Sequence, residues 1–344
     1  MTVLVTGGAG YIGSHMVWTL IEAGEDVVVL DRLSTGFRWA VAPEARFYLG
    51  DVGDRQILKQ IFAENEIDAI LHFAGSVVVP ESVAHPLRYY ENNTANTRTL
   101  IDEANEAGIQ HFIFSSTAAV YGRQPVAGPV PESGVVAPET PYGLSKLMSE
   151  MMLRDTAAAH DFRYVALRYF NVAGSDVKGR TGQSTKGATH LIKVACETSL
   201  GQRDHIDVFG TDYPTPDGSG VRDFIHVNDL AEAHMKALTY LRDGGASLVA
   251  NCGYGKGFSV LEVLNTIMEI EKRPLKINYC PRRPGDLGSV VADARLIRQE
   301  LGWKPRYDDL TLILKTALNW ERHLAERNGD NLKTIYRKLA AVNF

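Results

Sequence analysis

The amino-acid sequence predicts an α/β fold: a doubly wound parallel sheet with helices on both faces, followed by a smaller α/β C-terminal lobe. Three observations carry this. Six apolar, β-rich runs alternate with helical patterns through the first half of the chain, and such runs belong to a parallel sheet covered on both faces. A glycine-rich turn, Thr6-Gly7-Gly8-Ala9-Gly10-Tyr11-Ile12-Gly13, joins the first run to the first helix. After about Asn171 the alternation gives way to polar, glycine-rich stretches at 174–189 and 210–220, which read as functional loops.

The elements follow in order. Residues 3–6 form the first strand. Residues 11–23 form a helix with Ile12, Met16, Leu20 and Ala23 on one face and Gly24 as its stop. Residues 27–30, ending at Asp31, and 46–49, ending at Gly50-Asp51, are the second and third strands. Residues 54–64 are helical and 69–73 are the fourth strand. A long helix is expected over 85–107, closed by Gly108. Residues 111–115 are the fifth strand, 142–160 a helix and 164–169 the sixth strand. Beyond it, helices are expected at 227–241, 260–271 and 310–325, with a turn-rich loop at 281–288 and a polar, loosely held tail from Asn328. The expected plan is a nucleotide-binding domain over 1–170, a substrate domain over 171–330 and a tail over 331–344. Phe224-Ile225-His226-Val227 is a further strand candidate, so segments around 221–252 are expected to return to the first domain.

Composition narrows the function. The chain has 344 residues, 45% hydrophobic and 22% charged, with a net charge of −5. No dense Lys/Arg stripe exists, which argues against a nucleic-acid partner. No run of about 18 apolar residues is present, so no membrane span is expected. The start, Met1-Thr2-Val3-Leu4-Val5, lacks the basic region of a secretory signal. Cys196, Cys252 and Cys280 are far apart and odd in number, which suits a reducing compartment and no metal site. A cytoplasmic protein is expected.

Gly7, Gly10 and Gly13 are spaced to let the backbone turn tightly against a diphosphate, with the N–H groups of the next helix facing it. Asp31 ends the second strand 18 residues after Gly13. A carboxylate there accepts from both adenosine ribose hydroxyls and repels a 2′-phosphate, favouring NAD over NADP. Arg32 beside it is the contrary signal, able to pair with that phosphate. Asp51 has two readings, an adenine contact or a strand-end turn residue. Tyr142 and Lys146 are four apart at the start of a helix and so share a face. A free tyrosine titrates near 10. One cation about 6 Å away, at an effective dielectric of about 20, contributes roughly 3 kcal/mol, or about two pK units. Lys146 is a candidate for that cation, and an oxidised nicotinamide ring for a second. Ser115-Ser116-Thr117 closes the fifth strand at the edge where ligands bind, and Thr117 offers a hydroxyl to a substrate.

With these residues in place the chain resembles the extended short-chain dehydrogenase/reductase family. The matching pieces begin with Val5–His15, His72-Phe73-Ala74-Gly75, Tyr89-Tyr90-Glu91-Asn92-Asn93 and Phe114-Ser115-Ser116-Thr117. They continue with Val120-Tyr121-Gly122, Tyr142-Gly143-Leu144-Ser145-Lys146 and Arg168-Tyr169-Phe170-Asn171. Last come Gly220–Val227 and Arg282-Arg283-Pro284-Gly285-Asp286-Leu287. They run in order over roughly residues 1 to 325, and the last three together resemble the nucleotide-sugar enzymes of the family.

The resemblance implies a Rossmann-type fold with tightly bound NAD. It also implies reversible 4-epimerisation of UDP-galactose and UDP-glucose through a 4-keto sugar. Tyr142 would take the proton of the sugar 4-hydroxyl, Thr117 would share that hydrogen bond, and Lys146 would hold the nicotinamide ribose. The cofactor would be lined by Gly7, Gly10, Tyr11, Ile12, Gly13, Asp31, Asp51, Val52, Phe73, Ala74, Gly75, Asn92, Ser115 and Tyr169. Asn171, Leu191, Phe209, Arg222, Arg283 and Asp286 would hold the UDP-sugar, with Val290 beside the sugar. An internal Arg222–Asp223 pair is the alternative for that arginine. Val77 stands where some relatives carry a lysine, and His190 where some carry an asparagine. Valine at 290 predicts partial tolerance of an N-acetyl group. Ala118-Ala119 follow Thr117 where a dehydratase would carry an acid and a base, so dehydration is not expected. A UDP-pentose epimerase and a non-catalytic NAD sensor are the other readings. The family implies a homodimer, for which 89–107 and 146–159 offer surfaces.

Overall fold

The computed structural model describes residues 1–124, 128–283 and 286–342. Six strands come first: β1 (Thr2–Thr6), β2 (Asp26–Asp31), β3 (Arg46–Leu49), β4 (Ile67–His72), β5 (His111–Thr117) and β6 (Arg163–Tyr169). Seven short ones follow: β7 (Asn171–Ala173), β8 (Ile206–Phe209), β9 (Val221–His226), β10 (Leu248–Cys252), β11 (Gly257–Ser259), β12 (Ile277–Cys280) and β13 (Ser289–Val290). The main sheet has seven strands in the order β10-β6-β5-β4-β1-β2-β3, every pairing parallel. The order reverses between β1 and β4, and a ligand crevice opens at the carboxyl ends of the strands at such a point.

Alternate residues of each strand feed two cores. On one face Val3, Val5, Val27, Val29 and Leu71 pack with Met16 and Leu20 of helix α1 (Tyr11–Glu22). On the other, Leu4, Val28, Leu30, Ile70, Phe112 and Phe114 meet Leu58 and Ile61 of α2 (Arg55–Glu64). Two short helices follow, α3 (Val79–Ala84) and α4 (Pro86–Tyr89). Leu100 and Ala104 of α5 (Asn96–Glu106) and Leu153 of α6 (Pro141–Ala159) complete that second layer. Burying both faces of the strands accounts for their unbroken apolar runs.

The smaller lobe carries α7 (Leu191–Ser199) and a four-stranded sheet in which β9 pairs with β7, β11 and β13. β8 pairs with β12 alone. The strand expected at 224–227 therefore belongs to the small sheet. The return to the main sheet is made by α8 (Val227–Arg242), which packs beside α1 in the first core, and by β10, which extends β6. The long helix expected over 85–107 is divided. A π turn, Tyr90–Ala95, separates α4 from α5 and holds Asn93 in the interior, where it bonds to the Ser76 backbone and to Ser145. The chain continues through α9 (Val260–Glu271) and α10 (Arg295–Leu301) to α11 (Leu310–Val342). This last helix runs well past residue 325, because no proline follows Pro305 to stop it. No described helix is long and apolar enough to cross a membrane, and the three cysteines are free thiols.

Candidate active site

The glycine turn is built so that side chains have no room. Gly7 has φ +72°, and a Cβ on it would lie 2.6 Å from the Ala74 nitrogen. A Cβ on Gly13 would sit 2.1 Å from the Gly7 carbonyl oxygen. Gly10 is the N-cap of α1 and brings no capping side chain, so the helix start stays open to an anion. This cradle fits a diphosphate. Asp31 ties it down: its Oδ2 accepts from Ala9 N at 2.9 Å and its Oδ1 from Leu33 N at 2.7 Å. Arg32 turns away and donates to Asp51 Oδ2 at 2.5 Å. Asp51 Oδ1 accepts from Gly53 N and Asn96 Nδ2, both at 2.9 Å. These bonds set Asp51 in the strand-end turn, with its side chain 33% exposed. Val52 beside it is buried in the second core.

The small lobe closes on this turn. Tyr11 OH donates to Gly174 O at 2.7 Å, and the hydroxyls of Ser14 and Thr181 meet at 2.7 Å. A crevice beside the turn is lined by Gly10, Tyr11, Ser14, Thr35, Phe37 and Ser184.

Helix α6 begins at the end of β5. Thr140 caps it, accepting from Gly143 N at 3.2 Å, and a Cβ on Gly143 would lie 2.2 Å from the Ala119 carbonyl oxygen. That contact brings Tyr142 and Lys146 to the strand ends; they are 8% and 3% exposed, and Thr117 is 8% exposed. Lys146 Nζ donates to Ser115 O at 3.0 Å and lies 4.9 Å from the Phe114 ring centre. Burial lowers the Lys146 ammonium to about 8, with Glu150 opposing. Burial raises the Tyr142 phenol, and the Thr117 hydroxyl pulls the other way. The depression of Tyr142 expected from Lys146 is thus not produced by these two residues alone, since the ammonium is directed at the Ser115 carbonyl.

Around them, Ser115 Oγ and Tyr169 OH are hydrogen-bonded. Phe73 N continues the sheet by donating to Thr6 O at 3.0 Å, with Ala74 and Gly75 following under the glycine turn. A Cβ on Gly75 would lie 3.2 Å from Asn93 Oδ1. Asn92 Nδ2 donates to Ser76 Oγ at 2.9 Å. His72 is held between Thr6 Oγ1 at 2.6 Å and Thr97 Oγ1 at 2.8 Å. Burial, with the charge of Lys146, lowers it to about 3.

On the other side β9 is the spine. Asn171 pairs with Phe224 and Val290 with Arg222. The Arg222–Asp223 pair does not form. Asp223 accepts instead from Tyr254 N and Gly255 N, both at 2.9 Å, and from Ala292 N at 3.2 Å. Arg222 donates to Val221 O at 2.9 Å, and the charge of Asp286 offsets part of the lowering that burial imposes on it. The Arg283 guanidinium lies 3.6 Å over the Phe209 ring. Leu191 opens α7, where His190 supplies no side-chain cap. Pro284 and Gly285 lie outside the described residues. Val77 is half-exposed.

Reading the residues in sequence missed a buried network behind Tyr142 and Lys146: Ser116, Glu150, Arg168, Tyr121 and Asn251. The spacing of Tyr142, Lys146 and Glu150, each four apart, was the signal available for its central member.

The NAD dependent epimerase/dehydratase family matches residues 3–253. The UDP-glucose 4-epimerase of Azospirillum brasilense is 53% identical over 328 residues, covering 95% of this chain and 94% of its own. The structure of UDP-glucose 4-epimerase from Brucella ovis in complex with NAD superposes with a TM-score of 0.90 at 41% identity, covering 92% of this chain and 97% of that one. That of the Bifidobacterium longum UDP-glucose 4-epimerase with NAD+ and UDP gives 0.89 at 38% identity, covering 94% and 98%.

Proposed function

The chain belongs to the NAD dependent epimerase/dehydratase family, and from that premise we propose that it is an isomerase interconverting UDP-galactose and UDP-glucose by NAD-dependent 4-epimerisation. The observation that carries this reading is the juxtaposition of Thr117, Tyr142 and Lys146, buried at the carboxyl edge of the sheet that also carries the glycine cradle.

Tyr142 takes the proton of the sugar 4-hydroxyl and returns it, and Thr117 shares that hydrogen bond. NAD, when bound, supplies a hydride acceptor and donor. Gly7, Gly10, Tyr11, Ile12 and Gly13 surround its diphosphate, and Asp31 holds the adenosine ribose. Asp51, Val52, Phe73, Ala74, Gly75, Asn92, Ser115 and Tyr169 line the rest, and Lys146 holds the nicotinamide ribose. Arg222 and Arg283 suit the phosphate oxygens and Asp286 the uridine ribose. Asn171, Leu191 and Phe209 complete the nucleotide site, with Val290 beside the sugar. Residues 1–170, with segments around 221–252, form the NAD domain, and 171–330 supply the UDP-sugar domain. A cytoplasmic homodimer is in keeping with the free cysteines and with exposed apolar side chains such as Val83, Leu87 and Met151 on α3, α4 and α6.

The test is turnover of UDP-galactose by the purified protein with no NAD added. Turnover supports both the activity and a retained cofactor; none, even with NAD supplied, redirects the reading to another UDP-sugar such as a UDP-pentose. Tyr142→Phe is expected to lower kcat by about 100- to 10,000-fold while NAD content stays unchanged. A variant that loses little would favour an NAD-sensing protein.

A further inference from the structure

Glu150 lies one turn beyond Lys146 on α6 and has no part in the chemistry above. Its side chain is 6% exposed. Arg168 of β6 grips it with both arms, Nε to Oε1 at 3.0 Å and Nη2 to Oε2 at 2.6 Å. The Ser116 hydroxyl also donates to Oε1. Arg168 Nη1 donates to Tyr121 OH at 3.1 Å, and that hydroxyl donates to Asn251 Oδ1 at 2.7 Å. Ser116 stands between Ser115, whose carbonyl receives Lys146, and Thr117, the hydroxyl acting on Tyr142. Apolar packing commonly stabilises a fold as well as such a buried ion pair does, so stability alone does not account for it.

We propose that Glu150 is a positioning residue whose carboxylate, clamped by Arg168 and Ser116, keeps the Lys146 ammonium charged and aimed at the Ser115 carbonyl. The inference rests on the roles given above to Tyr142 and Lys146. The groups facing this pair are His72 from β4, Arg168 and Tyr164 from β6, Tyr121 beyond β5, and Arg154 on α6 itself. Burial keeps His72 neutral and raises both tyrosines. Glu150 is therefore the anion that opposes the desolvation of Lys146, and burial lowers the ammonium to about 8 even with that carboxylate in place.

The test compares the unmodified chain with Glu150→Gln, Glu150→Asp and the double variant Glu150→Gln/Arg168→Met. The double variant removes both charges together and leaves no lone buried cation. Two quantities are read on the NAD-bound protein: titration of the Lys146 Cε resonance, assigned with Lys146→Arg, and the alkaline limb of kcat. Glu150→Gln is expected to bring both down by about one pH unit, and the double variant by about half as much, because the Arg168 cation leaves with the anion. At about pH 8.5 the single change lowers kcat roughly tenfold, with KM for UDP-galactose within about twofold. Glu150→Asp is expected to restore the limb. A folded double variant whose Lys146 titrates as in the unmodified chain overturns the proposal. If the unmodified chain turns over no UDP-hexose, the functional reading fails while the Lys146 resonance still decides the role of Glu150.

Discussion

At the residue scale, the specificity proposed for the site turns on two strands that place side chains in register. Val290 of β13 pairs with Arg222 of β9, so the group proposed to lie beside the sugar is fixed relative to the arginine proposed to hold the diphosphate. A valine there leaves space that a larger side chain would fill. The chain is accordingly expected to epimerise UDP-N-acetylglucosamine as well as UDP-galactose. Val290→Tyr is expected to lower turnover of the N-acetylated sugar by at least about tenfold, with UDP-galactose turnover changed less than about threefold, as for a steric discrimination of a few kcal/mol. Assays of both sugars on both proteins check this. No turnover of the N-acetylated sugar by the unmodified chain at saturation would refute it. Residues of this kind are readable in sequence only through motif resemblance. The spacing of Tyr142 and Lys146 is local and visible, whereas Arg222 and Val290 meet across 68 positions of chain.

At the element scale, what was legible depended on whether an element is specified by its own residues. The glycine turn is such a case. Because a Gly13 Cβ would lie 2.1 Å from the Gly7 carbonyl oxygen, Gly13→Ala must displace β1 from α1. The variant is expected to purify with less than about a tenth of the NAD of the unmodified chain, since backbone approach to the diphosphate is what these glycines permit. Absorbance of the released cofactor measures it, and full retention would show that the turn is not the cofactor cradle. β1 to β6 are likewise legible, each announced by three or more successive apolar residues, buried in every one but β3. The strands β7, β11 and β13 have two or three residues each. Their pairing is decided by distant β9, so no local pattern announces them. The π turn at Tyr90–Ala95 is hidden for a related reason: its helical periodicity is intact on both sides, and only the demand for a buried Asn93 beside Ser76 and Ser145 explains it.

At the scale of the whole molecule, the two lobes share a buried set of neutral histidines. His15 on α1 and His226 at the start of α8 sit where the 174–181 segment and α11 close over the glycine turn, with His226 Nε2 and Thr316 Oγ1 3.1 Å apart. His72 and His234 are buried on the main sheet, His234 with its ring centre 4.8 Å from that of Phe73. Burial lowers His72 and His226 to about 3 and His15 and His234 to about 4. In the unfolded chain each returns to about 6.5. Between those limits the folded chain binds fewer protons than the unfolded one. Stability is therefore full above about pH 6.5 and falls as pH drops through the window. Each histidine costs about 1.4 kcal/mol per pH unit there, on the order of 5 kcal/mol per unit for four. A typical domain has roughly 5–15 kcal/mol in all, so about two pH units suffice to unfold it. Carboxylates held low by arginines, such as Glu25 and Asp176, add their loss only near pH 4, where they protonate in the unfolded chain. The thermal midpoint is thus expected to be level from about pH 7 to 8 and to fall steeply between pH 6 and 5, before carboxylate titration begins. A midpoint that stays level down to about pH 4 would mean that these histidines are charged in the folded protein and that the shared interior is wet.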